Sequence, residues 1–147
     1  MSRYSSKIEI IRTLRERDIM PTHQRVEIFK VLFAKAQHLS ADQILEKVNK
    51  SDAHVSKATV YNTLGLFAHK GLIREVIIDP TKIFYDTTTT PHHHIYNTET
   101  GILMDIDSEK LVLSKLPPPP AGTHIEGIDV VIRVRPNSTN TRDAKPH

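Results

Sequence analysis

Up to about residue 70 the apolar positions recur at intervals of three and four; beyond that point they alternate. Ile8, Ile11 and Leu14 form the first helical set, with Lys7, Arg12, Arg15 and Arg17 largely off the stripe. Met20-Pro21-Thr22 interrupts it, and Thr22 is placed to cap a second helix carrying Val26, Phe29, Leu32 and Phe33. Ser40-Ala41-Asp42-Gln43 reads as a capping box opening a third helix with Ile44, Leu45 and Val48. Ser56 caps a fourth, through Val60, Leu64, Phe67 and Ala68, and Gly71 supplies the left-handed residue that ends it.

The period then becomes two. Residues 72–78 and 82–86 flank the turn Asp79-Pro80-Thr81 and predict a hairpin. Helices followed by a hairpin predict a winged helix-turn-helix, with the last helix in a DNA major groove and the wing on the backbone. Thr87–Pro91 reads as a linker. A second hairpin is expected with arms at His93–Tyr96 and Ile102–Ile106, then a short helix over Ser108–Leu116, which Pro117–Pro120 cannot continue, and a last strand from Asp129 to Val134. The expected class is α+β: a winged helix over 1–86, a linker over 87–91, a small α/β domain over 92–135 and a polar, disordered tail over 136–147.

Composition narrows the chemistry. The 147 residues contain no cysteine, which excludes disulfides, thiolate zinc sites and thiol redox switches, so any metal must be held by nitrogen and oxygen. No apolar run approaches the ~20 residues of a membrane span. The N-terminal stretch lacks the uncharged core of a signal peptide, so a cytoplasmic location is expected. The formal charge of +3 is uneven: residues 1–75 hold 13 Lys/Arg against 8 Asp/Glu, and residues 76–147 hold 7 against 9. A basic first half suits a polyanionic partner.

Two candidate sites follow. On the fourth helix, Val60 and Leu64 bury, turning Lys57, Thr59, Tyr61 and Asn62 outward to different degrees. Lys57 suits a phosphate, Tyr61 a thymine methyl and Asn62 an adenine edge, while Arg25 on the second helix suits a phosphate clamp. An ordinary solvated helix face would carry similar residues. Further on, His92-His93-His94 enters a strand, so His92 and His94 share a face about 7 Å apart and His93 takes the other. Asp86 lies across the linker and Asp105 on the opposite hairpin arm, and His38 adds a nitrogen if the first half folds back. Three His and two Asp suit Fe²⁺, Mn²⁺ or Zn²⁺, and imidazole is also a haem ligand. A solvated histidine run is the bland alternative. His54, His69 and His124 have no companions and are read as surface residues.

Pro21-Thr22-x-Gln24-Arg25, His38-Leu-Ser-Ala-Asp42, Ala58-Thr-Val-Tyr-Asn-Thr-Leu64 and Tyr85-Asp86 followed by His92–His94 occur in this order. In these elements the chain resembles the ferric uptake regulator (Fur) family over roughly residues 8–135. Within it, the triple His, the missing cysteines and the ending Asp-Val-Val-Ile-Arg-Val resemble the iron response regulator (Irr) branch of alphaproteobacteria. The resemblance implies a homodimer whose winged helices bind an operator and whose C-terminal domains pair and sense metal or haem. It implies a regulatory metal site at His38, Asp86, His92, His94 and Asp105, an association of haem with His92, His93 and His94, and control of iron-homeostasis and haem-synthesis genes. Departures are as informative. The four-cysteine structural zinc site of many family members has no counterpart, the Cys-Pro haem motif is missing, Val112 and Ile128 stand where a second site would place Glu and His, and Met20 and His23 replace expected arginines.

The sequence therefore predicts a regulator and not an enzyme. The alternatives are a peroxide sensor, in which iron at the same site oxidises a ligand His, and a non-haem iron enzyme built on His92, His94 and Asp105. A metal-independent winged helix with an incidental His run is the third.

Overall fold

The structure is a computed structural model that describes residues 6–50 and 54–138. The chain divides between Thr89 and Thr90 into two compact units. The expected tail falls mostly outside the described residues. Among the described residues, no helix is long and apolar enough to cross a membrane.

The first unit holds α1 (Lys7–Glu16), α2 (His23–Phe33), β1 (His38–Ser40), α3 (Ala41–Val48), α4 (Lys57–His69), β2 (Arg74–Asp79) and β3 (Lys82–Asp86). The helix starts follow the expected chemistry. Thr22 accepts from the Arg25 amide, Ser40 and Gln43 complete a reciprocal capping box, and Ser56 accepts from the Thr59 amide. Gly71, at φ +76°, closes α4. Asp18, at φ 58°, serves the same purpose after α1, ahead of the Met20-Pro21 break.

The α1 stripe needs correcting. Ile10 and Leu14, four residues apart, are the buried pair, whereas Ile8 is 70% exposed. Around them Val26, Ile28, Phe29, Leu32, Ile44, Val48, Val60, Leu64 and Phe67 close one core. Phe33 stacks on Phe29 with ring centroids 4.2 Å apart, as an i,i+4 pair should. The wing is a three-stranded antiparallel sheet in the order β1-β3-β2. Strand β1 escapes the periodicity because three residues do not display a period of two.

The second unit is a three-stranded mixed sheet: β4 (His93–Asn97) lies between antiparallel β5 (Leu103–Ile106) and parallel β6 (Val131–Val134). Gly101, at φ +74°, turns β4 into β5. The helix expected over 108–116 shrinks to a 3-10 turn at Ser108–Lys110. Asp107 provides no side-chain cap, and Val112, Leu113 and Leu116 are exposed, so no buried stripe offsets the cost of nucleating a helix.

Candidate metal centre and nucleic-acid interface

In the first unit the β1–β3 register sets His38 opposite Asp86. The His38 Nε2 lies 3.1 Å from Asp86 Oδ2, and the Thr88 amide donates to Asp86 Oδ1 at 2.9 Å. Asp86 is only 3% exposed. A buried carboxylate requires a compensating charge or donors, and this one sits against an imidazole that can accept a proton or a metal. The sequence brings His38 into the set only through a fold-back of the first half. Strand β1, too short to read from sequence, instead brings it to Asp86 within its own unit.

In the second unit β4 and β5 pair His94 with Asp105. Asp105 Oδ1 lies 3.1 Å from His92 Nε2 and 3.2 Å from His94 Nε2. The two rings tilt together with centroids 4.5 Å apart, closer than side chains standing straight off a strand, because His92 precedes β4. His94 is 1% exposed.

The protons can be placed by chemistry. His92 Nδ1 lies 2.7 Å from the Thr90 carbonyl, which only accepts, so Nδ1 carries the hydrogen. In the neutral ring Nε2 then directs a lone pair at a carboxylate oxygen. Two acceptors at 3.1 Å repel unless a proton or a cation lies between them. The carbonyl-oriented imidazole is also the usual outer support of a metal-bound His. Each pairing of imidazole and carboxylate thus offers nitrogen and oxygen donors without sulfur, a donor chemistry that fits a divalent cation such as Fe²⁺, Mn²⁺ or Zn²⁺. His93, associated with haem by the resemblance, makes a backbone contact in the structure. Its Nδ1 accepts the Val130 amide at 3.0 Å, so its Nε2 carries the hydrogen and has no lone pair to offer.

On α4, Lys57 and Asn62 are exposed and Val60 and Leu64 are buried. Tyr61 is 44% exposed, with its hydroxyl 3.4 Å from Asp42 Oδ1 and the Lys57 ammonium 5.7 Å from its ring centroid. Thr59 is half-buried and accepts from the Ser56 hydroxyl at 2.9 Å, so its oxygen belongs to the helix cap. The Arg25 guanidinium donates to the Met20 carbonyl at 2.9 Å, which fixes it while leaving other N–H groups of its fork.

Asn49 escaped the sequence reading. Its side chain donates to the Val55 carbonyl at 3.0 Å and accepts the Val55 amide at 2.8 Å, tying Val55, just ahead of α4, to the end of α3. An Asn at the end of a helix is the available signal.

The profile described as the ferric uptake regulator family matches residues 16–116. The chain belongs to the ferric uptake regulator family. Members found by similarity are regulators of transcription. The peroxide-responsive repressor PerR of Staphylococcus aureus (strain Mu50) is 30% identical over 103 residues, 70% of each chain. Among solved structures, the ferric uptake regulator of Pseudomonas aeruginosa with manganese aligns at a TM-score of 0.65 and 23% identity, covering 86% of this chain and 97% of that one. The ferric uptake regulator of Francisella tularensis with iron aligns at 0.66 and 23% identity, covering 80% and 91%. These two likenesses establish the family fold.

Proposed function

We propose that this member of the ferric uptake regulator family is a metal-responsive, DNA-binding transcription regulator acting as a homodimer. His38, Asp86, His92, His94 and Asp105 would hold one divalent cation, Fe²⁺, Mn²⁺ or Zn²⁺. The observation that carries this reading is the His92 ring, whose Nδ1–H is committed to the Thr90 carbonyl and whose Nε2 faces Asp105. When bound, the cation supplies the positive charge that these facing lone pairs and two carboxylates call for.

Asp86 and His92 are separated by only residues 87–91, a link that spans at most ~20 Å when extended. Ligands drawn from both sides of that link would couple occupancy to the orientation of the winged helix, and so to the fit of Lys57, Tyr61 and Asn62 to an operator, with Arg25 on phosphate. The Irr-like part of the proposal assigns the target genes to iron homeostasis and haem synthesis. A divalent cation is favoured over haem as the signal, because His93 is engaged with Val130, and His92 and His94 share one carboxylate.

Operator duplexes selected from a random pool, titrated with Mn²⁺, Fe²⁺, Zn²⁺ or haem, test this. Affinity should follow the divalent cation, and His92→Ala with His94→Ala should remove that response without unfolding the chain. Unaltered metal binding in the double variant would refute the assignment. A metal-independent winged helix would bind DNA equally in every titration, and an iron enzyme would bind metal without coupling it to DNA.

Similarity to PerR favours one second reading, peroxide sensing at the same residues. Peroxide treatment of the iron-loaded protein followed by mass spectrometry tests it, a ligand His gaining one oxygen atom being the positive result.

A further inference from the structure

Strand β6 is an edge strand that rests on one neighbour. It has four residues, pairs among the described residues with β4 alone, runs parallel to it, and exposes most of its side chains. Parallel pairing requires a long return, and here that return runs through β5 and residues 107–130 without an α-helix to pack it down. The proline run at 117–120 lies within it. Two clamps compensate. At the far end, the Thr98 amide donates to the Val134 carbonyl at 3.0 Å and the Thr98 hydroxyl to the same oxygen at 3.3 Å. At the near end both backbone groups of Val130 are taken by β4: its carbonyl accepts the His94 amide at 3.1 Å, and its N–H donates to the His93 ring at 3.0 Å.

From this geometry we propose that His93 is a latch: its Nδ1 pins the approach to β6 against β4 and thereby holds in shape the strand that follows His92 and carries His94. His93 is a positioning residue and touches neither metal nor haem. The period of two explains the division of labour, because a ring between two ligands must point to the opposite face. The partner in the latch, Val130, lies beyond the span matched by the family profile, which ends at residue 116. Its consequence for metal affinity rests on the metal reading above; its consequence for β6 does not.

The isosteres of histidine separate a latch from a ligand. His93→Asn would set an amide oxygen near the position of Nδ1 and nothing near Nε2; His93→Gln does the reverse. Hydrogen exchange of the Val130 amide in the metal-free protein reads the latch directly. His93→Asn is expected to keep the protection, while His93→Gln and His93→Ala accelerate exchange roughly 5- to 10-fold, the usual net worth of one hydrogen bond. Co²⁺ titration of the same proteins should show wild-type affinity for His93→Asn and weakening by severalfold for the other two. Equal Val130 protection in all variants, or His93→Asn behaving like His93→Ala, would overturn the latch. Should wild-type protein bind no Co²⁺ while the exchange pattern holds, the metal reading fails and the latch stands.

Discussion

Removing the side chain of Asn49 is expected to weaken the first unit and its grip on DNA together. Asn49 pairs both backbone groups of Val55, at 2.8 and 3.0 Å, much as one peptide group pairs another. Val55 is 4% exposed, so water replaces those bonds poorly. Each lost bond is worth about 1 kcal/mol net, and more where its partner stays dry. Alanine returns about 0.5 kcal/mol through helix propensity, since Asn49 already has helical angles. Asn49→Ala should therefore cost about 1.5–3 kcal/mol, or roughly 6–20 °C in Tm for a unit of this size. Asn49→Asp keeps the acceptor but sets an oxygen against the Val55 carbonyl, and should do no better. Thermal and urea unfolding followed by circular dichroism measure the loss. DNA affinity at a temperature where the variant remains folded should also fall, because the brace positions Ser56, the residue that caps α4. A change below about 0.5 kcal/mol in both variants, half the usual worth of one hydrogen bond, would refute the view that this side chain ties Val55 to the end of α3.

Gly71→Ala should destabilise by about 1–2 kcal/mol, because φ is +76° and the added methyl would lie 3.3 Å from the Arg17 guanidinium that bonds the Lys70 carbonyl; Gly71→Asn should cost less in the same unfolding assay. Burial, and next the charge of Glu75 and the neighbouring Tyr61, raise the Tyr85 phenol above its ordinary 10.0. The folded state then keeps its proton after the unfolded state has lost it, so stability should decline as pH rises past about 10 toward the folded value. Phenolate absorbance and unfolding across that range check this, and Tyr85→Phe should flatten the slope. Asp79 is shifted the other way, below its ordinary 3.8, chiefly by the Thr81 hydroxyl and amide; Thr81→Ala should move its NMR titration midpoint upward.

The helices were legible because their boundaries are written in local chemistry. Thr22, Ser40 and Ser56 each cap the helix that follows, and Gly71 ends α4 at the expected place. What escaped depends on contacts distant in sequence. Ile8 and Ile10 are equally apolar, and only the packing around Leu14 decides which is buried. Strand β1 exists because β3 offers it an edge, and with it comes the meeting of His38 and Asp86. Residues 108–116 have helical composition, but Val112, Leu113 and Leu116 are exposed in the single chain, so propensity alone does not hold them helical. The candidate ligands were readable as types and spacing. Their proton positions were not, since those depend on the Thr90 carbonyl and the Val130 amide.

Those proton positions give the triple histidine its logic. Three adjacent imidazoles look interchangeable, yet each is placed by a different partner. His92 is oriented by a carbonyl that takes its Nδ1 hydrogen, His93 by an amide that takes its Nδ1 lone pair, and His94 by its place opposite Asp105 in the strand register. A donor amide and an acceptor carbonyl thus produce opposite tautomers in neighbouring rings, leaving a lone pair at Nε2 of His92 and a hydrogen at Nε2 of His93. Only the first can meet a cation. On the proposed reading, substitutions at these two positions should therefore fail differently, His92 through the ligand itself and His93 through the strand that follows it.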